Sequence, residues 1–169
     1  MTACDYDAEL NRLVAWWPTP KSREYPSSNV EVLFLALDDV PFGFDLRGST
    51  KWSHDPDDWQ WWYDDDYLGP HFVSQIMQLA LERAEFYDDT KPQKQLRIKY
   101  AASNSWEVVE MFFSLGYFGL LVRELIRNTD NARILGQCSS RWFVIGHPDA
   151  VYGIIMGKLT RSRWQTFHG

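Results

Sequence analysis

VEVLFLALDDVPFGFDL, Val30 to Leu46, is the stretch that decides the fold. Val30–Leu37 is almost continuously apolar, the signature of a strand buried on both faces. Asp38-Asp39 gives a turn, and Val40–Leu46 returns as the second strand of a hairpin. Gly43 is tolerated there as a bulge or point of close approach.

Upstream, Leu10, Leu13, Val14 and Trp17 repeat at helical spacing, which predicts a helix over 7–17 with Asp5 or Asp7 as its cap. Pro18 and Pro20 end it, and 18–29 reads as a Pro- and Ser-rich loop. Downstream, 48–58 is a polar loop and Trp59–Tyr63 (WQWWY) a short aromatic strand. Gly69 and Pro70 then open a helix over 71–87, with Val73, Ile76, Met77, Ala80, Leu81 and Ala84 as its apolar stripe. After a loop at 88–94, Gln95–Ala101 alternates as a strand. Ser103 or Asn104 caps a helix over 105–115 that stops at Gly116. Tyr117–Val122 has the composition of a strand, Arg123–Arg127 that of a helical turn, and Arg141–Ile145 reads as a strand. Asp149–Lys158 fits helix or strand equally.

With 169 residues, 45% of them hydrophobic, the chain suits one domain with a substantial core. No apolar run is long enough to span a bilayer. The N-terminal MTACDYDAEL is acidic without a basic n-region, so no secretory signal is expected. Cys4 and Cys138 form neither a CxxC pair nor a disulfide framework, which points to a reducing, cytoplasmic setting. His54, His71, His147 and His168 lack metal-ligand spacing, so no metal site is expected. No GxSxG elbow or P-loop is present.

The net charge of −6 argues against nucleic acid as a partner. Asp55, Asp57, Asp58, Asp64, Asp65 and Asp66 interleave with Trp59, Trp61, Trp62 and Tyr63. That segment reads either as a solvated acidic loop or as a surface for a basic partner. By contrast Lys158–Gly169 is basic, with Lys158, Arg161 and Arg163 beside Trp164. It reads as a solvated terminus, as a contact for nucleic acid or a protein's acidic face, or as a complement to the acidic segment within one molecule or across a homodimer.

The order hairpin, aromatic strand, helix, strand, helix ending in Gly-aromatic resembles the Gcn5-related N-acetyltransferase superfamily. The residues that carry it are EVLFLALDDVPFGF (31–44), WQWWYDDDYLGPHFVSQIMQLALERA (59–84) and LRIKYAASNSWEVVEMFFSLGY (96–117). The resemblance implies an α/β (α+β) fold, a mixed and mostly antiparallel sheet flanked by helices. Its core would be residues 30–118, with an added N-terminal helix and a C-terminal extension at 119–169, all in one domain. It also implies acetyl-CoA or another acyl-CoA as cofactor and an amine, on a small molecule or a protein, as acceptor.

In that family the turn before the long helix offers backbone N–H groups to the CoA pyrophosphate at the positive end of the helix dipole. Carried over, Leu68, Gly69, His71 and Phe72 would form this cradle, and Tyr63 with Asp64 would line the strand along the pantetheine. Asn104 and Phe112 would belong to the second helix, and Asp64 or Asp66 would act as general base. Gly69 matches the family's turn. Asp66 stands where a basic or amide side chain is usual, Pro70 has no N–H, and Phe112 replaces a proton-donating Tyr. A second reading follows from those departures. A non-catalytic relative would inhibit a protein partner, of the phage or plasmid anti-defence or toxin-immunity type. Trp59, Trp61, Trp62, Asp64 and Asp65 would be its contact residues.

Overall fold

The computed structural model describes residues 5–37, 43–53, 66–79, 105–146 and 153–166, with the backbone alone for 105–113 and 153–154. Helix α1 (Tyr6–Trp16) begins where expected: the Asp5 carboxylate accepts the Ala8 N–H at 3.0 Å, filling one of the four orphan donors of the first turn. It ends at Trp17-Pro18. Strands β1 (Val32–Leu37) and β2 (Gly43–Ser49) form the expected antiparallel pair, Leu35 opposite Leu46. The turn at Asp38-Asp39 lies outside the described residues, as do the expected strands at 59–63 and 95–101.

The next element differs from the sequence expectation. Tyr67–Val73 is a strand, β3, antiparallel to β2. The helix expected from His71 starts only after Ser74, and residues 75–79 are helical. Ser74 Oγ caps them by accepting the Met77 N–H at 3.1 Å, and its carbonyl accepts the Gln78 N–H. Gly69-Pro70, which reads as a helix-opening turn, is a β-bulge. Asp45 pairs with His71 and Arg47 with Leu68, so Gly69 and Pro70 together face Leu46. Proline is tolerated here because a bulged strand at the sheet margin needs fewer ladder donors. The Tyr67 ring folds over Gly69. A Cβ on Gly69 would lie 2.7 Å from Tyr67 Cζ and 2.8 Å from the Leu46 carbonyl oxygen.

Helix α2 (Ser105–Asn128) runs through Gly116 instead of stopping there, so Tyr117–Arg127 is helix rather than strand and turn. The stripe Leu115, Phe118, Leu121, Val122, Leu125 and Ile126 is buried in the main core. Each such side chain contributes about 1.5–3 kcal/mol on burial. Two interior glycines cost only about 1 kcal/mol each, so packing overrides the stop signal. Helix α3 (Asn131–Leu135) follows, capped by Asp130.

The C-terminal extension then supplies three strands: β4 (Ser140–Gly146), β5 (Gly153–Thr160) and β6 (Trp164–Thr166). Of the segment that fitted helix or strand, 153–158 belongs to β5, and 149–152 lies outside the described residues. Among the described residues the sheet order is β3-β2-β1-β4-β5-β6. All pairs are antiparallel except β1 with β4, where Leu33 faces Phe143 and Leu35 faces Ile145. The fold is thus mixed α+β with a mostly antiparallel six-stranded sheet, as expected.

The register assigns the two faces. Leu33, Leu35, Leu37, Phe44, Leu46, Phe72, Phe143, Ile145 and Leu159 join Leu13, Trp17 and the α2 stripe in one core. Val32, Phe34, Ala36 and Val144 form a second buried cluster on the other face, with Trp52, Trp142 and Ile155 against it. No helix among the described residues is long and apolar enough to cross a membrane.

Two kinds of glycine follow from this packing, and they respond oppositely to substitution. Gly157 has φ +153°, and the β6 residue Trp164 lies across it, with Cζ2 2.8 Å from where a Cβ would sit. At Gly116 and Gly119 an added Cβ would meet nothing within 4 Å. Gly157→Ala is expected to destabilise by about 2 kcal/mol or more. Gly116→Ala and Gly119→Ala should each stabilise by about 0.5–1 kcal/mol. Urea unfolding of the three variants checks both signs.

Candidate functional site: the sheet margin at β3

The residues that the family resemblance assigns to a cofactor cradle come together on β3, so this margin is the first place to look for a site. It is held from outside by α1. The Trp16 Nε1–H donates to the His71 carbonyl at 2.8 Å, and Arg12 Nη2 donates to the Val73 carbonyl at 3.2 Å. The Arg12 head is fixed by Glu9 Oε2 at 2.7 Å and lies 5.7 Å from the Phe72 ring centroid. Trp16, Phe44, Phe72 and Phe118 meet edge to face or tilted, with centroids 5.2–5.5 Å apart. Such pairs add roughly 0.5–1.5 kcal/mol each beyond their area. Two carbonyls of β3, the outermost strand among the described residues, are thereby occupied.

On the face away from α1, His71 Nδ1 lies 2.9 Å from Asp45 Oδ1, and Arg47 Nη2 lies 3.6 Å from Asp45 Oδ2. The pairing sets the imidazole's orientation, since the nitrogen facing the carboxylate carries the proton in this hydrogen bond. All three side chains are partly exposed, so the network contributes no more than about 1 kcal/mol to stability. Leu68, on the same face, is 68% exposed and Val73 is 40% exposed. Further along that face Trp52 stacks on Trp142 at 4.8 Å and 17°, and Lys158 Nζ stands 5.3 Å from the Trp142 centroid.

Asp66 does not sit as a general base. Its Oδ2 accepts both the Thr50 backbone N–H, at 2.7 Å, and the Thr50 hydroxyl, at 2.6 Å. The hydroxyl and then the amide bond hold its carboxyl below the usual aspartate value. A base that must take a proton near neutral pH needs the opposite shift. What Asp66 does is close the base of the connection between β2 and β3, since Thr50 follows β2 and Asp66 precedes β3. Trp52, just inside that closure, is the one stacked on Trp142.

The other expected residues divide as follows. Leu68 and His71 are on the exposed face, Gly69 is in the bulge, and Phe72 is 2% exposed in the core. These four residues therefore form no helix N-terminus, and Pro70 adds no N–H. The residues present do not fit the pyrophosphate cradle. Tyr63, Asp64, Asp65, Trp59, Trp61, Trp62 and Asn104 lie outside the described residues, and Phe112 is described only as part of the α2 backbone. Among the described residues the β1–β2 hairpin is as expected, and a strand stands at Tyr67–Val73 where a helix-opening turn was expected. No group of three or more His, Cys, Asp or Glu among the described residues is placed to hold a metal ion. Compared with protein-family models, with curated proteins and with solved structures, the chain matches none of them.

Sequence reasoning missed Asp45 with Arg47 and Arg12 with Trp16. The first pair was detectable: Asp45 and Arg47 are two apart on a predicted strand and so share a face. The second was not, because nothing local says that α1 lies against β3.

Two tyrosines anchor the loop 18–30 to this frame. Tyr67 Oη donates to the Glu24 carbonyl at 2.5 Å and Tyr25 Oη to the Ile134 carbonyl at 2.7 Å. Burial pushes the Tyr25 phenol up to about 12 and raises Tyr67 further. A folded-state value above the unfolded value of 10 means that the stabilisation is complete below pH 10. It is lost as pH rises through about 12. Thermal unfolding across that window should show falling stability in step with tyrosinate absorbance. Tyr25→Phe should be less stable by about 1 kcal/mol at neutral pH and flatter above pH 10.

Proposed function

We propose that this chain is a non-catalytic binding protein that engages a basic protein partner through the Asp- and Trp-rich connection between β2 and β3. The observation that carries the reading is the double hydrogen bond from Thr50 to Asp66. It uses one of the six aspartates of the acidic segment as a structural clamp. The remaining Asp55, Asp57, Asp58, Asp64 and Asp65, with Trp59, Trp61 and Trp62, are carried on a connection of fixed base. Clustered acids steer a cationic partner and raise its association rate, while tryptophans supply buried contact area. Inhibition of that partner is the corresponding activity, and a cytoplasmic setting belongs to the same proposal.

The competing acyltransferase reading makes a separate demand. It needs donors for pyrophosphate at 66–71, where the chain has an aspartate clamp, a bulge and a proline in a strand. Acetyl-CoA in millimolar excess should therefore leave the melting temperature unchanged, because only a ligand that binds the native state raises it. A saturable upward shift would overturn the binding reading in favour of the enzyme.

The positive arm uses affinity capture from the source cell followed by titration calorimetry with the recovered partner. Trp61→Ala or Trp62→Ala should weaken the complex by at least about tenfold, the effect of losing one central aromatic contact. Raising salt should slow association. Unchanged affinity in both variants, with folding retained, would rule out this surface.

A further inference from the structure

At the end of the sheet where β4 begins and β5 ends, the loop 18–30 crosses a concentration of cations. Arg141, in β4, is 1% exposed. Its Nη2 donates to the Pro26 and Ser27 carbonyls at 3.1 and 3.0 Å and to Cys138 Sγ at 3.1 Å. Its Nε and Nη1 are buried with no acceptor among the described residues. The guanidinium carbon stands 5.6 Å from the Tyr25 ring centroid.

The same tyrosine leads to Arg133, whose carbonyl lies 3.2 Å from Tyr25 Oη. Arg133 is half-buried. Its Nη2 donates to the Val14 and Trp17 carbonyls, closing the end of α1, and its Nε is buried, again without an acceptor among the described residues. The Tyr25 ring packs against Gly136, and the Gly136 carbonyl accepts from Arg161 Nη2 at 3.1 Å. Arg161 is exposed, as are Lys21 and Arg23 on the crossing loop. The nearby Asp130 caps α3 through one carboxylate oxygen, Oδ1 accepting the Ala132 N–H, and forms no ion pair with either arginine.

Neither Arg141 nor Arg133 has a carboxylate partner among the described residues. Carbonyl oxygens solvate a guanidinium but do not neutralise it, and a buried cation without counter-charge is strongly unfavourable. Glu24 on the crossing loop is exposed and forms no ion pair with either arginine, so its charge is screened by water. A structural strap for residues 26–27 would need only Nη2. It leaves three N–H-bearing nitrogens on two arginines unexplained.

We propose that this corner binds a phosphate-type oxyanion, with the buried Arg141 and Arg133, both against Tyr25, as donors and the exposed Arg161 as a further donor. Guanidinium suits this ligand because its planar fork of donors matches tetrahedral oxyanions and it remains charged at all relevant pH. The two proposals rest on different residues, so either can fail without the other.

The test is an NMR titration of the full chain with inorganic phosphate, observing arginine Nε–H signals, with sodium chloride at matched ionic strength as control. Saturable shifts of the Arg141 and Arg133 Nε–H signals with phosphate alone are expected. Arg141→Lys should weaken binding about tenfold or more, as loss of charge-assisted bonds requires. Arg161→Ala, at an exposed position that leaves the core intact, should weaken it severalfold. Static Nε–H signals at high phosphate would overturn the proposal. So would equal shifts with chloride, which would mean screening alone. Should Arg141→Lys fail to fold, unchanged phosphate affinity in Arg161→Ala overturns it.

Discussion

The parallel pairing of β1 with β4 is the constraint on which the rest of this structure depends. Parallel neighbours cannot be joined by a tight turn, so the chain must leave the sheet and return. Here it leaves by way of β2 and β3 and comes back through α2 and α3. Every residue of β1 is buried, because both faces and both edges of that strand are occupied. Its alternate residues Leu33, Leu35 and Leu37 meet the helices, while Val32, Phe34 and Ala36 meet the second cluster. Removing β4 would therefore expose β1 to water and leave α2 with half a floor. The two antiparallel wings, β2–β3 and β5–β6, are extensions of this central pair.

A sheet built this way has margins to protect, and helix side chains close the one at β3. Trp16 and Arg12 occupy the carbonyls of His71 and Val73, while Pro70 and the bulge disfavour further pairing. The closing helix is closed in turn. Arg133 takes the α1 carbonyls of Val14 and its neighbour Trp17, which would otherwise be orphaned at the helix end. Tyr25 and Tyr67 then tie the loop between α1 and β1 to α3 and β3. Elements far apart in sequence are thus linked by side chain to carbonyl bonds, which tolerate irregular geometry better than ladder pairing does.

The same use of side chains as ties is seen at Asp66. A carboxylate that accepts an amide and a hydroxyl from one residue is stabilised in its ionised form. It is then a poor proton acceptor and a good anchor. Asp45 with His71 illustrates the converse: a carboxylate shared between an imidazole and a guanidinium on an open face orders side chains without locking the backbone.

Sequence by itself determined the parts whose signals are local. The hairpin of β1 and β2, the cap and stop of α1, and the strand at β4 follow from period, capping residues and proline, which act over a few residues. The acidic character of the β2–β3 connection follows as well, while the mixed, mostly antiparallel class came from the family resemblance. Tertiary structure alone decided the fate of Tyr67–Val73 and of Gly116. Gly69-Pro70 is ambiguous locally between a helix-opening turn and a bulge, and the ladder of β2 settles it. Gly116 reads as a helix stop until the buried stripe Phe118, Leu121, Val122 and Leu125 is set against the sheet, where burial outweighs the cost of the glycine. The arginines show the same division. Arg133 and Arg141 are ordinary surface residues by composition, and only packing against α1 and the loop 18–30 draws them out of water. A long-range contact has no local signature, so the cation-rich corner and the α1–β3 contact became visible only in three dimensions.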